Sequence, residues 1–206
     1  MEAVPPDSHR PVPVIPEDRT PEYWNNLYKN GDGLFREVSP FEREMLRAYV
    51  APDSGWRAID VGCGTGALTA RLATWGMDVT GYDLSEVAVT EARAHHGARA
   101  RFVVHDFTAH AIPQDLRPGT LDLAVCRLSL EYLDRARFLT DVRRWLKPEG
   151  VLHVTTYVAE KTSKVTHSGG LPDRVVQDLG CGFRTMTRYE LEQDGSVTCG
   201  VLRGPQ

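Results

Sequence analysis

Apolar and polar positions change period several times along the chain, and each change marks an element. Tyr23, Trp24, Leu27 and Tyr28 recur at helical spacing. Thr20 ahead of them supplies an N-cap, Pro21 fits the first helical position and Glu22 suits the positive helix end. Asn30-Gly31-Asp32-Gly33 stops this helix. A second one starts at Ser39-Pro40-Phe41-Glu42, with Ser39 capping and Glu42 closing a capping box. Its face is Phe41, Met45, Leu46, Tyr49 and Val50, and Ala51 to Gly55 ends it.

From Trp56 onward short apolar runs alternate with helical stretches, which predicts a parallel sheet with helices on both faces. The runs are Arg57 to Val61, Met77 to Tyr82, Arg101 to His105, Leu121 to Cys126 and Val151 to Tyr157. Helices are expected from Ala67 to Trp75, from Glu86 to His96 behind the Ser85 cap and ahead of a Gly97 stop, and from about Asp134 to Leu146. After a loop from Ala159 to Gly170 comes a short helix, Asp173 to Leu179. Phe183 to Leu191 and Val197 to Leu202 then flank Gln193-Asp194-Gly195-Ser196, a hairpin signal. The predicted fold is α/β: a doubly wound sheet of seven strands, mostly parallel, closed by a C-terminal antiparallel hairpin strand.

Residues 1–19 carry five prolines among charges and read as a flexible tail, with an extended strap anchored by Val12, Val14 and Ile15 as the alternative. Residues 20–206 read as one domain: a helical cap (20–50), a core (56–157), and a C-terminal helix and hairpin (158–206). A chain of 206 residues suffices for one proper core. Its formal net charge of −4 argues against a nucleic-acid partner, and the run of Arg135, Arg137, Arg143, Arg144 and Lys147 reads as the solvated face of a helix. Cys63, Cys126, Cys181 and Cys199 show no metal or redox spacing, so free thiols in a reducing cytoplasm are expected. No apolar run has the length of a membrane span, and the N-terminus lacks the basic-then-apolar pattern of a signal peptide.

Chemistry concentrates in Ala58 to Leu68, AIDVGCGTGAL. A strand enters a turn of Gly62, Gly64 and Gly66, and a helix leaves it. That geometry aims main-chain N–H groups at a ligand, and glycines let the ligand approach without meeting a Cβ. Asp83, about twenty residues on at the end of the next strand, is placed to accept hydrogen bonds from a ribose diol. Gly62-x-Gly64-x-x-Ala67 also fits the relaxed dinucleotide fingerprint.

These residues resemble a class I S-adenosylmethionine-dependent methyltransferase. The matching motifs are Asp60 to Gly66, Gly81-Tyr82-Asp83-Leu84-Ser85, His105-Asp106-Phe107, Leu121 to Cys126, and Leu146-Lys147-Pro148-Glu149-Gly150, in the family's order. The resemblance implies a Rossmann-like fold with S-adenosylmethionine as cofactor. It implies a cofactor site of Asp60, Gly62, Cys63, Gly64, Gly66, Asp83, Leu84, Asp106, Phe107, Cys126 and Arg127. Within it Asp106 accepts the adenine amino group, Phe107 donates its backbone N–H to the ring, Leu84 packs on an adenine face, and the methionine end lies near Asp60 and Gly62.

Methyl transfer needs alignment and exclusion of water more than acid–base groups. Tyr157, His167, Glu131 and His105 are the candidate bases, each with a packing or surface role as the alternative. Trp24, Tyr28, Arg127 and Tyr157 are the candidate substrate-pocket residues. Trp24 and Tyr28 shape the pocket if the first helix crosses the cleft, or else only staple that helix to the body. Arg127 either holds an acidic substrate group, points to solvent or pairs with Glu131. His153 is expected to be packed. The turn Cys126-Arg127-Leu128-Ser129 lacks the Asn/Asp-Pro-Pro-Tyr signature of several methylating relatives, which leaves a small-molecule acceptor. Two alternatives stay open: a non-catalytic protein on the methyltransferase fold, and an NAD-dependent oxidoreductase.

Overall fold

The structure is a computed structural model that describes residues 20–31, 37–162 and 169–206. The expected tail over 1–19 and the candidate His167 lie outside the described residues. The helices are α1 (Pro21–Asn30), α2 (Pro40–Val50), α3 (Ala67–Thr74), α4 (Glu86–His96), α5 (Arg135–Trp145) and α6 (Asp173–Asp178). The strands are β1 (Arg57–Val61), β2 (Asp78–Asp83), β3 (Arg101–Val104), β4 (Leu121–Arg127), β5 (Leu146–Tyr157), β6 (Phe183–Glu190) and β7 (Val197–Pro205). They form one sheet in the order β3-β2-β1-β4-β5-β7-β6. Pairing is parallel from β3 through β5 and antiparallel on both sides of β7.

Local chemistry accounts for most element ends. Thr20 Oγ1 accepts from the Tyr23 N–H at 3.3 Å, and Gly31 ends α1 in the left-handed region at φ 63°. Ser39 Oγ accepts from the Glu42 N–H at 3.1 Å. The expected capping box is only half formed, because the Glu42 carboxylate turns away to Arg127. Gly97 closes α4 with right-handed backbone (φ −59°), so its stop is not a left-handed cap. β5 begins at Leu146, earlier than expected. Leu146 is buried opposite Leu121, and the register shifts between Leu121 and Leu123. The β6–β7 turn has only Gly195 at positive φ, and the Leu191 N–H donates to the Val197 carbonyl around it.

One sheet face packs Ile59, Val61, Tyr82, Cys126, Leu152 and Val154 against Phe138, Val142 and Trp145 of α5 and Val176 of α6. The other packs Ala58, Val79, Leu123 and Val125 against Leu46 and Val50 of α2 and Leu68 and Leu72 of α3. Both faces are covered, which is why the inner strands read as continuous apolar runs. The strand order reverses between β1 and β4, and an open parallel sheet binds ligands beyond the carboxyl ends of its strands at that switch point. No helix among the described residues is long and apolar enough to cross a membrane.

Candidate active site

Above that switch point the β1–α3 turn holds Gly62, Gly64 and Gly66 at φ of 72°, 54° and 84°. L side chains rarely adopt this region, and the surroundings close the remaining option. A Cβ on Gly62 would collide with Ser129, one on Gly64 would lie 2.8 Å from the Tyr28 hydroxyl, and one on Gly66 would lie 2.6 Å from the Phe102 ring. α3 begins without a side-chain cap, so its first N–H groups remain available to a ligand.

Asp83 ends β2, buried at the same turn. Its Oδ2 accepts from the Gly64 N–H at 2.8 Å and its Oδ1 from the Ser85 N–H at 2.9 Å. Burial raises its pKa, and the N–H groups of Ser85, Gly64 and Leu84 work against that. Each carboxylate oxygen has committed one lone pair to the backbone and keeps another. Adjacent hydroxyls of a ribose fit that remainder. Asp60, at the end of β1, is also buried. Its Oδ2 accepts from the Thr69 hydroxyl at 2.7 Å, and Oδ1 has no partner among the described residues. Burial pushes its pKa up to about 6, against the Thr69 hydroxyl and the Arg127 guanidinium. An unsatisfied buried carboxylate oxygen beside a glycine cradle suits a cationic ligand group.

The expected adenine residues stand in the turn after β3. Asp106 Oδ1 accepts from the Thr108 N–H at 2.7 Å and the Ala109 N–H at 3.1 Å. Phe107 packs near the rings of Tyr82 and Trp145, with centroids 5.4 and 5.9 Å away. Leu84 is half-buried and follows Asp83 directly. Cys63 lies half-buried inside the glycine turn with a raised pKa, chiefly from burial, and Cys126 is fully buried in β4.

α1 packs against the start of α4 and over the glycine turn. Asn25 Oδ1 accepts from the Ser85 hydroxyl at 2.7 Å and from the Val87 N–H at 3.2 Å, which ties α1 to the start of α4. Trp24 meets Tyr132 edge-on at 4.9 Å, beyond β4. The Tyr28 hydroxyl sits over Gly64, where burial and then the Asp83 carboxylate raise its pKa. Tyr132 ends a 3-10 helix, Leu130–Tyr132, which the sequence pattern did not reveal.

Arg127 takes a partner that none of the three expectations named: its guanidinium goes to Glu42 rather than to Glu131 or solvent. Its Nε donates to Glu42 Oε1 at 2.6 Å and its Nη2 to Glu42 Oε2 at 3.0 Å. A further bond runs from Nη2 to the Glu37 carbonyl at 3.3 Å. The next residue, Leu128, has φ 54°, a costly conformation for a non-glycine residue, held by its N–H on the Thr155 carbonyl. Ser129 then crosses Gly62, its hydroxyl 2.8 Å from the Arg127 carbonyl and 3.3 Å from that of Gly62.

Of the candidate bases, His105 packs against the rings of Phe107, His110 and Tyr82 in the turn after β3, and burial lowers its pKa. Glu131 lies in the 3-10 helix after β4, and Tyr157 is half-buried at the end of β5. His153 is buried mid-strand with Nε2 2.8 Å from the Tyr189 hydroxyl, and its pKa falls to about 4, chiefly from burial. The unfolded chain binds that proton more readily. Stability from this group is therefore intact above about pH 6.5 and lost as pH falls toward 4.

The comparisons with known proteins agree with this geometry. Residues 59–154 match the family described as "Methyltransferase domain". A ubiquinone biosynthesis O-methyltransferase of Methylococcus capsulatus is 32% identical over 120 residues, covering 58% of this chain and 50% of that protein. One of the same name from Thiobacillus denitrificans is 34% identical over 121 residues, covering 58% and 52%. The chain thus spans about half the length of these curated relatives. Among solved structures, the N-methyltransferase NodS of Bradyrhizobium japonicum, in complex with S-adenosylhomocysteine, superposes with a TM-score of 0.69 at 20% identity over 92% of this chain and 100% of that one. A phosphoethanolamine N-methyltransferase 2 of Haemonchus contortus, in complex with S-adenosylmethionine, gives 0.72 at 16% identity over 92% and 59%. The sheet order with its antiparallel β7, the glycine turn with its two buried carboxylates, and the matched stretch agree in supporting a class I S-adenosylmethionine-dependent methyltransferase domain over residues 59–154.

Proposed function

We propose that this chain uses S-adenosylmethionine to methylate a small-molecule acceptor, with oxygen as the favoured acceptor atom. The observation that carries this reading is the pair of buried carboxylates flanking the glycine turn. Asp83 keeps one lone pair on each oxygen for a ribose diol, and Asp60 Oδ1 is unsatisfied where a cationic amino-acid end would lie. The O-methyltransferase names of the sequence relatives support oxygen as the acceptor atom. The aromatic side chains Trp24, Tyr28 and Tyr132 suit an acceptor with an apolar or aromatic body.

In the reaction the acceptor oxygen bonds to the methyl carbon as the carbon–sulfur bond breaks, the electron pair stays on the departing thioether sulfur, and the acceptor proton passes to solvent. The protein's part is to align and to exclude water. Asp83 fixes the ribose, Asp60 and the glycine turn fix the amino-acid end, and α1 covers the cleft. The test is a screen with methyl-labelled S-adenosylmethionine against matched aromatic hydroxyl, amine and thiol acceptors. Label on the hydroxyl set is expected. Label only on amines would overturn the choice of oxygen, and binding without turnover on any acceptor would favour the non-catalytic alternative. In the same assay a chain lacking residues 1–33 should lose turnover far more than unfolding temperature; equal loss of both would reduce α1 to a packing role.

Asp60 makes the binding step pH-dependent. A cation beside Oδ1 favours the ionised form, so binding near pH 6 should release a proton, and affinity should fall as pH drops below about 6. Titration calorimetry in two buffers of different ionisation heat reads the proton directly. D60N should bind more weakly at pH 7 and lose the pH dependence; an unchanged pH dependence would remove Asp60 from the site.

A further inference from the structure

We infer that Arg137 is the positioning residue for the base end of the cofactor site: it holds the Asp106–Phe107 pair in the arrangement that reads adenine. The inference rests on the cofactor reading above. Arg137 stands in the first turn of α5, among the arginines expected to form a solvated helix face. Its guanidinium does not simply face water. Nη1 donates to the Thr108 carbonyl at 2.9 Å and Nη2 to the His110 carbonyl at 3.1 Å. Asp141, one turn on, lies 3.9 Å from its Nε.

The segment after β3 has no regular structure of its own until β4. It closes on itself through the Asp106 carboxylate and the His110 N–H on the Asp106 carbonyl. Two handles then fix this turn to α5. One is apolar, the Phe107 ring near Phe138 and Trp145. The other is the Arg137 fork, whose two donors, fixed in one rigid plane, meet two carbonyls at once.

What remains unused is specific. Asp106 Oδ1 is occupied, but among the described residues Oδ2 accepts nothing and the Phe107 N–H donates to nothing. An acceptor and a donor on adjacent residues complement the amino group and the neighbouring ring nitrogen on one edge of adenine. Hypoxanthine reverses both positions, offering a carbonyl and a protonated nitrogen. A turn held in register should discriminate between the two bases, and a loosened turn should not.

The experiment titrates S-adenosylhomocysteine and S-inosylhomocysteine into the full chain and its R137A and R137K variants, with unfolding temperatures measured alongside. The native chain should prefer the adenosyl ligand by about tenfold or more. R137A should weaken the adenosyl ligand by roughly tenfold and leave the inosyl ligand nearly unchanged, so that the preference collapses. R137K, which keeps the charge but not the rigid fork, should fall between, and it carries the same comparison if R137A does not fold. An R137A preference equal to the native one, even with both affinities lowered, would make Arg137 a structural residue only and overturn the inference. A native chain that binds neither ligand would overturn the cofactor reading itself, and this inference with it.

Discussion

Asp83→Ala is expected to lower cofactor affinity by about a hundredfold to ten-thousandfold. Two hydrogen bonds to one buried carboxylate are lost, each about 1.5–3 kcal/mol, with a tenfold change per 1.4 kcal/mol. The substitution also strands the Gly64 and Ser85 N–H groups that Asp83 accepts, so a loss of stability will accompany the loss of binding. Asp83→Asn limits the loss of stability: its one oxygen still accepts from one of these N–H groups while its NH2 faces the other, so it should lose less stability than the alanine variant. It should still lose at least about tenfold in affinity by titration with S-adenosylhomocysteine. A folded D83N with native affinity would mean that the ribose is held elsewhere.

Arg127→Met is expected to destabilise the chain by about 3–5 kcal/mol, because it leaves the Glu42 carboxylate buried without its partner. The two side chains are only 13% and 5% exposed, so solvent cannot replace the lost guanidinium. For a chain of this size the cost corresponds to a drop of roughly 6–20 °C in unfolding temperature. The double variant Arg127→Met, Glu42→Leu removes both charges and should recover most of the loss. Denaturant unfolding of both single variants and the double variant closes the cycle. An Arg127→Met single variant within about 0.5 kcal/mol of the native chain would show that the pair carries no net stability.

The pair also shows where sequence reading reaches its limit. β1 is legible to the residue, because an apolar run entering a glycine turn is a local signal. The caps Thr20, Ser39 and Ser85 are legible for the same reason. The Asp83 carboxylate is placed by a spacing that the βαβ geometry fixes. Glu42 meets Arg127 across 85 positions, and the same Ser-x-x-Glu pattern is an equally good capping box. Likewise Arg137 sits in a basic run whose composition describes a solvated face, and its partners are main-chain carbonyls, which carry no side-chain signature. Asn25 on Ser85 and Leu128 in the left-handed region belong to the same class, set by tertiary packing that no local period records.

The way α1 is seated has a related cause. It contributes little to the sheet cores, with Leu27 its only buried residue. Its seat is instead polar and aromatic, through Asn25, Trp24 and Tyr28. An element seated through such contacts is secured less by the sheet cores than the helices packed directly on them.

Everything proposed for the cleft depends on the glycine turn and its two carboxylates forming a site for S-adenosylmethionine. Isothermal titration of the purified chain with S-adenosylmethionine, S-adenosylhomocysteine and NAD is the decisive experiment. Micromolar binding of the sulfonium compound and its demethylated product is expected, with no heat from NAD. Binding of NAD alone, or no binding of either adenosyl compound, would contradict the assignment.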